Sequence, residues 1–105
     1  MAHSGNPWLF DCAAVLEKNK NVYADISGYF NEFKTISKEQ TSLFIKHFTE
    51  IKIYMGGFEK FLFGTDWPLY SQKEYFKATL QLPLAKKEFE ALFFRNANTV
   101  FNLGL

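Results

Sequence analysis

Three places in this 105-residue chain bring together residue types that move a proton or hold a cation. His3 stands in Ala2-His-Ser-Gly-Asn-Pro-Trp8, Ser27 lies near the end of Val22-Tyr-Ala-Asp-Ile-Ser-Gly28, and Asp66 follows an apolar run in Phe61-Leu-Phe-Gly-Thr-Asp-Trp-Pro68. An imidazole changes charge near neutrality, and a carboxylate accepts a proton or ligates a metal. A serine hydroxyl orients its neighbours by donating and accepting hydrogen bonds. Each residue also has a plain structural reading. Asp66 serves as readily to cap a turn before Pro68, His3 is a polar residue near the N-terminus, and Ser27 is a hydroxyl that satisfies backbone. Asp25 is a weaker candidate, open to pairing with a lysine. Trp8 and Trp67 follow the two key polar residues and offer walls for a substrate pocket, although aromatic side chains more often serve the core.

Other chemistry is limited by composition. A single cysteine, Cys12, rules out an internal disulfide and any cysteine-based zinc motif. His47 shares a helical stripe with Phe44 and Ile51, the pattern of a satisfied histidine on a helix flank. The net charge is +1 with scattered lysines, so no basic stripe points to nucleic acid or an anionic membrane. No apolar run approaches the roughly 20 residues of a membrane span, and no signal-peptide pattern opens the chain. The expected location is the cytoplasm.

The elements that position these residues follow from periodicity and caps. Asn6-Pro7 reads as a helix start, and Leu9, Cys12, Ala13 and Leu16 follow the spacing of one helical face. A short strand is expected over residues 22–28, then a loop from Tyr29 to Thr35. Ser37…Gln40 and Ser71…Glu74 fit the capping box. Between them, Phe44, Phe48, Ile51 and Met55 make an apolar face that stops at Gly56-Gly57. Residues 61–63 read as another strand, a helix ends before Pro83, and a final helix carries Phe89, Leu92, Phe93, Val100 and Phe101 on one side. With a barely present first strand before His3, the order is β-α-β-α-β-α-α, which predicts parallel strands with ligands gathered at their carboxyl ends. That first strand has only two residues where a buried strand needs about five or six. A three-stranded parallel sheet leaves two raw edges, and thirteen phenylalanines exceed what a small core hides. These features point to a larger body and to association.

The stretches around His3, Ser27 and Asp66, with Asn96-Ala97 before Val100-Phe101, resemble the C-terminal portion of the amidohydrolase-related family of metal-dependent TIM-barrel enzymes. That family also includes aminocarboxymuconate-semialdehyde decarboxylase. The resemblance implies a parallel βαβαβα segment, strands 6–8 of a (β/α)8 barrel, as one domain over residues 1–105 without a linker. It implies that Asp66 ligates a divalent metal, expected to be zinc, or takes a proton from metal-bound water, with His3 orienting that water or ligating a second ion. Trp8, Ser27 and Trp67 are the weaker pocket candidates. The family's His-x-His pair does not occur here, so no metal is expected on this chain alone.

The leading expectation is therefore a metal-dependent hydrolase of amide, ester or lactone carbonyls, inactive as an isolated chain. A decarboxylase of the same family is the sibling reading; a non-catalytic remnant, an assembly subunit or a small α/β binding module are the others. The expected partners are a small-molecule substrate in the complete enzyme and either further copies of the chain or an N-terminal part.

Overall fold

Local signals set most helix ends in the computed structural model, which describes residues 1–30 and 35–105. Of the loop read across residues 29–35, positions 31–34 lie outside the described residues. Helix α1 (Leu9–Lys18) buries Leu9, Cys12, Ala13 and Leu16, the face its spacing predicts. It starts two residues later than Asn6-Pro7 suggests, because the Asn6 amide is used elsewhere, donating to Gly28 O at 3.3 Å. Helix α2 (Lys38–Met55) is capped by Ser37, whose hydroxyl accepts from Gln40 N, and it ends at Gly56 in the left-handed conformation. Helix α3 (Gln72–Leu80) is capped in the same way by Ser71, whose hydroxyl accepts from Glu74 N. No described helix is long and apolar enough to cross a membrane.

Two strands, β1 (Ala24–Asp25) and β2 (Phe61–Leu62), pair in parallel with Ala24 opposite Phe61. Ala24 N donates to Lys60 O and Ile26 N to Leu62 O, both at 3.0 Å. This topology corrects the three-stranded reading: among the described residues the fold is α/β with two parallel strands and several helices, not strands 6–8 of a closed barrel. The first expected strand fails for a backbone reason. His3 and Ser4 have φ of 58° and 48°, so the chain leaves the extended region and turns over Ala2–Gly5. Only Met1 runs beside β1, its ammonium donating to Tyr23 O and its carbonyl accepting from Asp25 N.

The raw edges expected of the sheet are also covered. The final helix comprises α4 (Lys86–Glu90), a π turn (Ala91–Arg95) and α5 (Asn96–Phe101), continuous in backbone conformation. It lies on the outer side of β2, where Leu92 O accepts from Phe63 N at 3.1 Å and Asn96 Nδ2 donates to Phe61 O at 2.8 Å. The π turn widens the helix locally and rotates the residues beyond it relative to an unbroken α-helix. Phe101, expected on the apolar face, is accordingly 63% exposed, while Leu92 is buried.

The core is aromatic. Phe44 and Phe48 of α2 meet Phe30, Phe58, Phe61 and Tyr75, with Phe58 and Phe61 stacked at 4.4 Å between ring centres. Each fully buried side chain of this size contributes about 1.5–3 kcal/mol. Two polar anchors hold elements to this core. Tyr75 Oη donates to Ile26 O at 2.6 Å and accepts from Tyr29 N at 3.1 Å, fastening α3 to the residues that follow β1. Lys60 Nζ donates to Asn19 O and Lys20 O at 2.9 and 2.8 Å and lies 4.3 Å from the centre of the Tyr23 ring, fastening the start of β2 to the α1–β1 turn.

Candidate functional site

Strand register brings His3, Ser27 and Asp66 together at the carboxyl end of the sheet. Asp25, at the end of β1, is the anchor: its Oδ1 accepts from His3 N at 3.2 Å, from Ser27 N at 3.0 Å and from the Ser27 hydroxyl. Its own carbonyl accepts from Ser4 Oγ at 2.6 Å. The N-terminal turn is thereby tied to the strand by one carboxylate. Asp25 makes no lysine pair in these contacts, contrary to one of its two readings, and serves instead to orient backbone and hydroxyl. The Asp25-Ile-Ser27 spacing carried that signal, because an aspartate readily bonds the backbone two residues on.

The hydrogen-bond order assigns the His3 tautomer. Ser27 has one hydroxyl hydrogen and gives it to Asp25. Its oxygen, 2.9 Å from His3 Nδ1, must then accept, so Nδ1 carries a hydrogen. Nε2 is left as the nitrogen at which the ring gains or loses a proton. That nitrogen faces Asp66, with Oδ2 3.4 Å away and the His3 and Asp66 side chains 43% and 32% exposed. The separation exceeds a good N–H···O bond, so the two groups form a close ionisable pair that is partly open to solvent.

The backbone under this pair is held in sparsely populated conformations. His3, Ser4 and Asp66 (φ 58°) are three of the four described non-glycine residues with positive φ. Such strain concentrates at functional sites and persists where surrounding contacts enforce it. Gly28, with φ of +65°, leaves room for the His3 ring, which a β-carbon there would strike. Gly64 is less tight, since a β-carbon would meet Ser27 Cβ at 3.4 Å.

The remaining candidates are largely exposed tryptophans and two residues with partners of their own. Trp8 is 68% exposed and lines a cleft of about 220 Å³ with His47 and Glu50. Trp67 is 69% exposed beside Asp66. His47 Nδ1 is 2.6 Å from the Tyr29 hydroxyl, and burial pushes the Tyr29 phenol up to about 12. Cys12 is buried, which raises its thiol above the ordinary value; the nearby N-terminal ammonium opposes the rise and Asp25 adds to it.

The sequence model of the amidohydrolase family matches residues 1–103. The chain belongs to the amidohydrolase family. The match takes in almost the whole chain, which corrects the reading that limited the resemblance to a C-terminal portion. No curated protein matches the chain. Two solved structures are similar in fold: a dihydroxybenzoic acid decarboxylase from Polaromonas sp. JS666, with bound manganese and the inhibitor 2-nitroresorcinol, and a 2,6-dihydroxybenzoate decarboxylase from Rhizobium. Each is 17% identical with a TM-score of 0.63, over 90% and 89% of this chain respectively. The chain spans 24% of the length of either neighbour. At this identity the likeness concerns the fold alone.

Metal ligation, which this family implies, was tested on the donor set. His3 Nε2 and Asp66 Oδ2 are spaced as two ligands of one ion would be, since bonds of about 2.1 Å at a tetrahedral angle put donors about 3.4 Å apart. A catalytic zinc takes three protein ligands, and among the described residues no group of three or more His, Cys, Asp or Glu side chains is placed to hold an ion. The described donors are thus one short of such a site.

Proposed function

We propose that His3 and Asp66 form the proton-transfer pair of a decarboxylase acting on a hydroxylated aromatic carboxylate. The observation that carries this reading is the array Asp25–Ser27–His3–Asp66: hydrogens are donated from His3 Nδ1 to Ser27 and from Ser27 to Asp25, which leaves Nε2 as the nitrogen that faces Asp66. Family membership and the two decarboxylases of similar fold support it.

In the reaction, the ring carbon that bears the carboxylate takes a proton from the pair. The bond from that carbon to the carboxylate then breaks, its electrons return to the ring, and carbon dioxide leaves. The balance is one proton consumed and one carbon dioxide released for each carboxylate lost. Asp66 delivers the proton and His3 Nε2 restores it from solvent, while Ser27 and Asp25 hold the imidazole in the tautomer that allows this. Ring hydroxyl groups favour the step by donating electron density to the carbon being protonated. The metal expected in this family would need donors beyond His3 and Asp66, so the steps are those of the side chains.

Hydrolysis of an amide, ester or lactone is the second reading, favoured by the family's name. One experiment separates them. The chain is incubated in deuterium oxide, with and without added manganese or zinc, with dihydroxybenzoates on one side and simple lactones and amides on the other. Carbon dioxide release with one deuterium at the vacated ring carbon supports decarboxylation. Hydrolysis of the lactone or amide without it supports the alternative, and no turnover in any arm overturns both readings for this chain.

A further inference from the structure

The outer edge of β2 faces no strand among the described residues; there Phe61 N donates to Phe58 O, and two further backbone groups, at Phe61 and at Phe63 just beyond the strand, have partners in the final helix. Phe63 N donates to Leu92 O, and Phe61 O accepts from Asn96 Nδ2. The π turn makes the first contact possible. In an α-helix Leu92 O would accept from Asn96 N, but here Asn96 N bonds Ala91 O, five residues back. Leu92 O turns to the strand instead, and the Asn96 side chain reaches the strand beside it.

These two contacts bracket Leu62, whose carbonyl bonds β1 on the other side. Three residues beyond Phe63 comes Asp66. His3 is held to β1 by Asp25, so the reach from His3 to Asp66 depends on how far β2 slides against β1. We propose that Asn96, working with the π turn, is a positioning residue that fixes β2 along its length and keeps the Asp66 carboxylate in reach of His3 Nε2. The inference rests on the reading of His3 and Asp66 as a proton-transfer pair, but its geometric content stands without turnover.

The test uses NMR on the whole chain. In the wild type, scalar coupling across the hydrogen bond from Asn96 Nδ2 to the Phe61 carbonyl is expected, and its absence overturns the proposal without any variant. Asn96→Asp keeps the shape and removes the donor at neutral pH; Asn96→Leu removes it at every pH. In both, hydrogen exchange at Phe63 should rise about tenfold, as expected for loss of one supporting hydrogen bond, while Phe44 and Phe48 keep wild-type rates. The His3 ring and Asp66 carboxyl resonances should shift together, and any decarboxylation should fall in kcat with KM little changed. Equal acceleration of all core amides makes Asn96 merely structural, and unshifted His3 and Asp66 resonances also overturn the proposal. A wild type without turnover removes the decarboxylase reading but leaves these resonance and exchange outcomes to decide the role of Asn96.

Discussion

The ring of His3 occupies the space that a side chain on Gly28 would need. The glycine also has φ of +65°, where a β-carbon is strained in any surroundings. Gly28→Ala is therefore expected to push the imidazole off Ser27. If His3 carries the proton, a displacement of about 1 Å lowers turnover about 100-fold. The His3 ring resonances and the decarboxylation rate check this, and an unmoved ring with full activity would contradict it.

Asp66→Asn keeps the size of the side chain and one carbonyl oxygen but cannot carry the proton. Turnover of a dihydroxybenzoate should fall about 100- to 10,000-fold, the usual contribution of a general acid. Circular dichroism should remain that of the wild type, because the carboxylate is partly exposed and lies outside the core. Retained activity would make Asp66 a turn residue.

Tyr75→Phe leaves Ile26 O and Tyr29 N without their partner in a buried place. The expected loss is about 1–3 kcal/mol in denaturant unfolding. Burial raises the Tyr75 phenol above its ordinary value of 10.0; the hydrogen bond from Tyr29 N opposes the rise, and the neighbouring Tyr70, Asp25 and Asp66 add to it. A group with a raised folded value gives its full stabilisation below the unfolded value and loses it as pH climbs above. Wild-type stability should therefore decline above about pH 10, and the Tyr75→Phe decline should be shallower.

Glu88 shows the opposite sign. The Ala85 backbone N–H, at 3.1 Å, and Lys52 Nζ, at 3.0 Å, hold its carboxyl below the ordinary glutamate value. Its stabilising contribution is present above the unfolded value and is lost as pH falls through the folded one. Urea unfolding from pH 7 to pH 3 should show a flatter acid limb for Glu88→Gln. The difference should be small, since solvent screens this surface pair.

Helix faces were legible wherever apolar spacing followed a helical period, as in Leu9, Cys12, Ala13 and Leu16. Serine caps at Ser37 and Ser71 were legible for the same local reason. The first strand was misread because positive φ at His3 and Ser4 has no composition signal; only glycine advertises such a conformation. The π turn was invisible because its composition is that of an ordinary helix and it is entered and left through helical conformations at Ala91 and Arg95. Of the candidate site, His3, Ser27 and Asp66 were legible as polar residues expected at strand ends, and the structure brings their side chains together although no strand forms before His3. Asp25 was undervalued: its bond to Ser27 N, two residues on, was open to reading from the spacing, whereas its bond to the His3 amide 22 positions away was not.

The lysine that opens β2 has a chemical consequence. The ammonium hydrogens of Lys60 are engaged by two carbonyls and the face of the Tyr23 ring. An acylating reagent must approach the nitrogen itself, which these contacts cover until they open. Lys60 should thus be acylated more slowly by N-hydroxysuccinimide acetate than Lys73 or Lys86, as read by peptide mass spectrometry of the folded chain. In denaturant its rate should rise to theirs. The acylation rate at this one amine then reports whether the α1–β1 turn and the start of β2 are still joined.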